Sequence, residues 1–173
     1  MERKRFPGVP CPIARSLDVL GDWWTPLILR ECLYGVTRFD EFQEWLGIGR
    51  NILTKRLALL VEQGVLEKEE YAAGRHDYRL TEKGYDATKV LLATMSFGER
   101  WSFEEGREPV IVYDRTTGRR VRALVVDAET GEPIEPRNLM AGPGPSFPAS
   151  ASAKRARFAE YYARNEPSSE PKA

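Results

Sequence analysis

The chain is poor in cysteine and histidine, and it lacks long apolar runs. Its 173 residues include only Cys11 and Cys32, with no CxxC pair, which argues against a disulfide framework and a cysteine-based zinc site. No segment approaches the ~20 apolar residues of a membrane-spanning helix, and the start, MERKRFPGVPCP, has no signal-peptide core. We therefore expect a cytoplasmic protein without a metal, a cofactor or a membrane partner.

The sequence also has little that an enzyme needs. His76 is the only histidine, and there is no GxSxG motif, no glycine-rich phosphate loop and no cluster of carboxylates. Because no motif combines a nucleophile with a base, the sequence contains no recognisable catalytic site. The sequence predicts a protein that is not an enzyme.

An excess of one charge is absent as well. Lys+Arg and Asp+Glu both number 26, so only the placement of the charges carries information about partners. The stretch GIGRNILTKRLALLV, residues 47–61, holds three basic residues and no acidic one. This local imbalance favours a polyanionic partner, although a solvated helix face is the simpler alternative.

Helical periodicity and end signals divide the first half of the chain into four helices. The first helix begins at Pro12 and ends before Gly21, and Asp22 is placed to cap a second, largely apolar helix. Thr37 and Asp40 have the spacing of a capping box, which opens a short third helix. After the turn GIG at 47–49, leucines at helical spacing define the fourth helix.

The third and fourth helices predict a helix-turn-helix, whose second helix enters the DNA major groove. Arg50 and Asn51 are the predicted base readers, because arginine and asparagine make bidentate contacts to guanine and adenine. Thr54, Lys55 and Arg56 are expected to contact phosphates or a base methyl group.

A β-hairpin is predicted directly after the fourth helix. LEKEEY at 66–71 and YRL at 78–80 are typical of short strands, and AAGRHD between them forms the turn. A winged helix uses such a hairpin to contact the DNA backbone or the minor groove. Arg75 and His76 lie at the predicted tip and are candidate DNA contacts, with a solvated histidine as the alternative.

These motifs together resemble the HxlR-type branch of the bacterial winged helix-turn-helix regulators. The resemblance runs from about Cys11 to Trp101 and rests on the Cys-Pro opening, LILRE, RFDEF, ILTKRL, GVL and LTEKG. It implies a homodimeric transcription regulator on an inverted-repeat operator, with the fourth helix as recognition helix and Arg75 on the wing. Arg38, in RFDEF, completes the predicted DNA-binding set.

A dimer is also indicated by the pattern of the helix from Glu82 to about Trp101. This helix has apolar stripes on two sides, so one side needs a partner beyond the core. The alternative is a core helix of a larger monomer. The predicted dimer interface combines the first and fifth helices and consists of Ile13, Leu17, Leu20, Leu92 and Met95.

Two kinds of signal are compatible with such a regulator. In several members of the resembled family a cysteine at the position of Cys11 senses oxidants or electrophiles; a structural cysteine is the alternative. A small-molecule effector is the other partner considered, with Trp23, Trp24 and Trp101 as candidate pocket lining between the dimer helices and the C-terminal module. Plain core packing is the alternative for these aromatic residues.

The composition changes after Trp101. The pentads DRTTG at 114–118 and DAETG at 127–131 each follow a β-branched run and predict two hairpin turns, which resemble a zinc ribbon without its cysteines. A Pro/Ser-rich linker and a short basic helix follow, for which a disordered tail is the alternative.

The predicted fold class is mainly α with a small β wing. The predicted domains are a DNA-binding and dimerisation domain (1–108), a β module (109–141), and the linker with its helix (142–173). The predicted function is sequence-specific DNA binding by a homodimeric regulator that responds to a small molecule or a redox signal. The alternative is a winged-helix module that binds another protein instead of DNA.

Overall fold

A computed structural model describes residues 6, 8–148 and 150–164 of the chain. The chain forms two compact units, Met1–Leu124 and Val125–Ala173. The basic start at 1–5 and the tail at 165–173 lie outside the described residues. The helices and strands of the first unit are α1 (Pro12–Leu20), α2 (Trp24–Leu33), α3 (Phe39–Leu46), α4 (Arg50–Glu62), β1 (Leu66–Ala72), β2 (Arg75–Leu80) and α5 (Glu82–Ser102).

The core of the first unit lies where α2, α3 and α4 meet the start of the hairpin. Its fully buried side chains come from the apolar faces that the helical periodicity predicts. They include Ile28 and Leu29 of α2, Phe42 of α3, and Leu53 of α4. The mainly helical fold with one antiparallel hairpin confirms the predicted fold class.

Local end signals account for most of the helix boundaries. Asp22 accepts hydrogen bonds from the backbone N–H groups of Trp24 and Thr25, at 2.9 Å and 3.0 Å, and so caps α2 as predicted. Gly64, at φ +66°, follows the end of α4 in the left-handed conformation that glycine adopts without strain.

The predicted capping box of Thr37 and Asp40 is wrong. The α3 helix begins one residue later, and the Arg38 N–H donates to the carboxylate of Glu41. The hydroxyl of Thr37 instead donates to Oδ1 of Asp77 at 3.0 Å. Thr37 is held by a strand 40 residues away, and a local motif contains no information about that partner.

The hairpin is longer than predicted, and its turn is shorter. The paired strands β1 and β2 extend to Ala72 and from Arg75, so that only Ala73 and Gly74 remain between them. Gly74 has φ +69° and donates its N–H to Oε1 of Glu70 at 2.8 Å. Because glycine supplies the positive φ of a tight turn, the strands continue almost to the tip.

The second unit contains a short 3-10 turn at Pro136–Asn138 and the helix α6, Ser152–Arg164. The helix lies where the short basic helix is predicted. Phe158 of α6 packs edge to face on Phe147, at 5.7 Å between ring centroids, and Arg155 donates to the carbonyl of Phe147.

Each pentad forms a tight turn closed by one antiparallel bridge. In the first, Oδ1 of Asp114 accepts the N–H of Thr116 at 2.7 Å, and Tyr113 pairs with Arg120. In the second, Asp127 accepts the N–H of Thr130 at 2.9 Å. These backbone donors hold the pKa of both aspartates below the usual value. The aspartates therefore stabilise their own turns, while the predicted three-domain division remains a prediction.

Candidate DNA-binding surface

The N-terminal end of α4 is uncapped and electropositive. The three-residue turn before it contains Gly47 at φ +61°, and α4 has no acidic residue in its first turn. Among the described residues, no side chain caps the end of α4 at Gly49 with a hydrogen bond. The free N–H groups and the positive end of the helix dipole are therefore available to a phosphate.

Arg50 and Asn51 are both exposed on the first turn of α4. The guanidinium of Arg50 lies over the ring of Phe39, the first residue of α3, at 5.0 Å from the centroid. Stacking on an aromatic ring limits the conformations of a long side chain. Arg50 is thus oriented by the preceding helix, whereas Asn51 projects beside it.

The next turn of α4 presents Thr54 and Lys55, both exposed as predicted. The Thr54 hydroxyl donates to the carbonyl of Arg50 at 2.9 Å, which leaves its oxygen as an acceptor and its methyl group exposed. Lys55 adds a cation on the same side of the turn. These two residues extend the basic surface toward the middle of α4.

Arg56 has different surroundings from the other predicted DNA contacts on α4. Its Nε lies 3.3 Å from Oδ1 of Asp22, and its side chain is only 26% exposed. This ion pair holds the Nε end of the guanidinium at the start of α2. Arg56 connects α4 to α2 and belongs to the scaffold below the surface.

On the wing, the structure places Arg75 and His76 in β2 and not in the turn. Arg75 is exposed next to the tip, whereas His76 is half-buried and pairs with Glu70 of β1. Arg75 therefore remains available to DNA at the end of the wing. The half-buried position makes His76 the weaker candidate.

Arg38 connects the helix-turn-helix to the wing. Its guanidinium lies over the ring of Tyr71, 4.9 Å from the centroid, and its Nε is 3.9 Å from Oδ1 of Asp77. Its backbone also pairs with Asp77 in an antiparallel bridge. Sequence reasoning missed Tyr71 and Asp77 because their roles depend on contacts between distant segments.

The predicted dimer residues fall into two groups. Ile13 and Leu17 are exposed on α1, whereas Leu20 packs against the core. Leu92 and Met95 are half-buried and line a cavity within their own chain. The large exposed hydrophobic side chains of α5 are instead Tyr85, Val90, Phe97 and Trp101.

The three predicted pocket tryptophans do not share an environment. Trp24 packs against the core, while Trp23 is 90% exposed and Trp101 is 68% exposed. Two cavities of the first unit are lined by other residues. The predicted pocket between the dimer helices and the C-terminal module stays a prediction.

The two cysteines have different surroundings. Cys11 is half-exposed at the start of α1, whereas Cys32 packs against the core, and burial raises the pKa of its thiol to about 12.

Because only the thiolate reacts, we expect an aromatic disulfide reagent to modify one thiol per native chain at pH 8 and two after unfolding. Absorbance and the variant Cys11→Ser identify the thiol, and equal reaction of Cys32 would contradict this assignment.

Among the described residues, no helix is long and apolar enough to cross a membrane, and none of their His, Cys, Asp and Glu side chains form a cluster of three around a possible metal.

An exposed basic helix that follows a tight turn and lies beside a β-hairpin defines a winged helix-turn-helix DNA-binding protein. Residues 19–106 match the family model of the HxlR-like helix-turn-helix. The chain belongs to this family, which confirms the resemblance found in the sequence, and it is a helix-turn-helix transcriptional regulator.

The sequence similarity to relatives extends beyond the family domain. The chain is 36% identical over 147 residues to an uncharacterised HTH-type transcriptional regulator of Mycobacterium tuberculosis, with coverage of 84% of this chain and 92% of the relative.

Two solved structures are similar to this chain. PA1607, described as a transcription factor, has a TM-score of 0.69 and 38% identity over 78% of this chain and 96% of its own. PA1374 of Pseudomonas aeruginosa, described in the same terms, has a TM-score of 0.58 and 40% identity over 85% of this chain and 99% of its own.

Proposed function

We propose that this regulator acts as a homodimer on an inverted-repeat DNA site. The observation that carries the proposal is the uncapped, acid-free N-terminal end of α4, exposed next to the wing. Arg50 and Asn51 read base edges in the major groove. Thr54, Lys55, Arg38 and Arg75 position the protein on the backbone.

The exposed apolar stripe supports the homodimer. Phe97 and Trp101 are each 68% exposed and lie one helical turn apart on α5, and Ile13 of α1 is 72% exposed. Large apolar side chains that remain uncovered mark an interaction surface. In a two-fold dimer the two α4 helices face successive major grooves, about 34 Å apart.

Regulation by a signal is part of the same proposal. The mostly apolar cavity between α2 and α5 favours a small molecule, and the half-exposed position of Cys11 is compatible with oxidation. Both remain predictions.

The proposal is tested by selecting genomic DNA fragments with the wild-type protein and with the variant Arg50→Ala/Lys55→Ala. We expect the wild type to enrich a palindromic site, and the variant to bind that site roughly 100-fold more weakly, because it loses one base reader and one phosphate contact. The variant should also show a smaller dependence of affinity on salt.

The matched control is Arg119→Ala/Arg122→Ala, which removes two exposed cations outside the helix-turn-helix and the wing. It should bind the selected site like the wild type. If the wild-type protein enriches no DNA, the proposed function is wrong and the protein-binding module takes its place.

A further inference from the structure

Two cavities of the first unit adjoin each other along α2. The smaller, about 230 Å³, lies between α2 and α5, and the larger, about 1000 Å³, lies between the end of α2, β2 and the segment 110–115. Both are lined by Leu33, Tyr34 and Val112. We call the two cavities together the α2 cleft. A space of this size is typical of small-molecule sites.

One wall of the α2 cleft comes from outside the family domain. The family match ends at residue 106, whereas Val110, Ile111 and Val112 line the cleft. Without this segment, the end of α2 would present an open apolar face.

An ion-pair network attaches this wall to the body of the unit. Nη2 of Arg120 lies 3.1 Å from Oε1 of Glu108 and 3.7 Å from Oε2 of Glu99 on α5. The N–H of Val121 also donates to the carbonyl of Val112 at 2.9 Å. Contacts within the first unit therefore hold this wall at Glu108, just before the segment, and at Val112, within it.

The lining of the α2 cleft is apolar and aromatic. Around the smaller part it consists mostly of side chains without charge, among them Leu27, Leu91, Leu92 and Met95. Four tyrosines line the cleft: Tyr34, Tyr78, Tyr85 and Tyr113. Aromatic rings favour stacked or edge-to-face contacts with a ring-shaped ligand, and phenol groups add hydrogen bonds.

Of the three arginines that line the cleft, Arg30 and Arg79 have anionic partners, whereas Arg115 is exposed and the nearby lining residue Glu67 adds a negative charge. Arg30 donates from Nε to Oε1 of the buried Glu31 at 2.9 Å. Arg79 donates to Oδ2 of Asp77 at 3.0 Å. An anionic ligand would have to compete with these carboxylates, so the cleft favours an uncharged one. Burial also raises the pKa of the Tyr78 phenol further above neutral pH, and the protonated hydroxyl can donate a hydrogen bond.

We propose that the α2 cleft binds an uncharged aromatic compound of one to three rings, which acts as the effector of this regulator. The binding step stands on the cleft alone, whereas the regulatory step rests on the proposed DNA-binding function. The strand β2 links the two, because Tyr78, Arg79 and Leu80 line the cleft and the same strand begins at Arg75. A ligand that moves β2 therefore changes the position of the wing.

The probe for the binding step is N-phenyl-1-naphthylamine, an uncharged aromatic compound whose fluorescence rises in apolar surroundings. We expect saturable binding to the full-length wild-type chain. The variants Met95→Trp and Val112→Trp fill the cleft from two different elements and should each weaken binding at least tenfold. Leu124→Trp, at a position that is 67% exposed, is the matched control and should bind the probe like the wild type.

Circular dichroism identifies a variant that fails to fold, and the other cleft variant then carries the test. No saturable binding to the wild type, or unchanged binding to a folded cleft variant, overturns the proposal. The regulatory step predicts that a saturating probe changes DNA affinity at least threefold in the wild type and not in the cleft variants. Probe binding without any DNA binding would refute the proposed function and leave the site intact, whereas DNA binding that the probe leaves unchanged would refute the effector role.

Discussion

The variant Phe97→Glu is expected to be a monomer and to bind the palindromic site at least about 100-fold more weakly than the wild-type protein. Phe97 is 68% exposed on α5, so its own chain does not need the ring for folding. At the proposed two-fold interface, however, each glutamate would be buried without a partner. A dimer gains affinity because its second subunit binds the second half-site at a high effective concentration. A monomer loses this gain, which is about 10²–10⁴-fold.

Sedimentation velocity measures the oligomeric state, and fluorescence anisotropy with labelled DNA measures the affinity. Leu124→Glu is the matched control, because Leu124 is equally exposed, at 67%, but lies outside α1 and α5. It should remain dimeric and bind DNA normally. A dimeric Phe97→Glu variant with unchanged DNA affinity would refute the proposed interface.

The second large effect is expected for Gly84→Ala, which should lower the free energy of unfolding by about 1–3 kcal/mol. Gly84 is buried in the first turn of α5, where its N–H donates to the hydroxyl of Thr81. A methyl group added there would lie 2.3 Å from the carbonyl oxygen of Val65 and 2.9 Å from Cδ2 of Leu80. Since the first of these atoms is backbone at the base of the wing, the helix and the hairpin would have to separate.

Gly98→Ala is the control on the same helix. Among the described residues, no heavy atom beyond the local helix backbone lies within 4 Å of a methyl group added at Gly98. This substitution should raise stability by about 0.5–1 kcal/mol, because alanine loses less backbone entropy in a helix. Urea unfolding followed by circular dichroism compares the two variants. Equal free energies of unfolding would show that the close approach at Gly84 does not destabilise the alanine variant.

The contrast between Asp22 and Thr37 shows how far local signals reach. Both residues precede a helix in a pattern typical of a cap, and the prediction is correct for Asp22 alone. The backbone of Thr37 is engaged by β2, since the Tyr78 N–H donates to the Thr37 carbonyl at 2.8 Å. A tertiary hydrogen bond of this kind overrides a local preference worth about 1 kcal/mol.

Within the candidate site, the sequence predicted the exposure of Arg50, Asn51, Thr54 and Lys55 correctly. Position on the helix decides this exposure, because the leucines at helical spacing determine which face is buried. The same reasoning places Arg56 at the edge of that face, where it is half-buried. Its ion pair with Asp22 joins residues 22 and 56, and no short-range pattern contains it.

The sequence by itself determined the order of the helices, the helix-turn-helix, the presence of the wing and the basic surface of α4. These features follow from periodicity, glycine positions and charge placement within a few residues of each other. The tertiary structure alone decided the stacking of Arg50 on Phe39, the anchoring of Arg38 to the wing, and the formation of the α2 cleft by the segment after the family domain. The physical reason is that each depends on contacts between elements that are distant in the chain, and their geometry exists only once the core has packed.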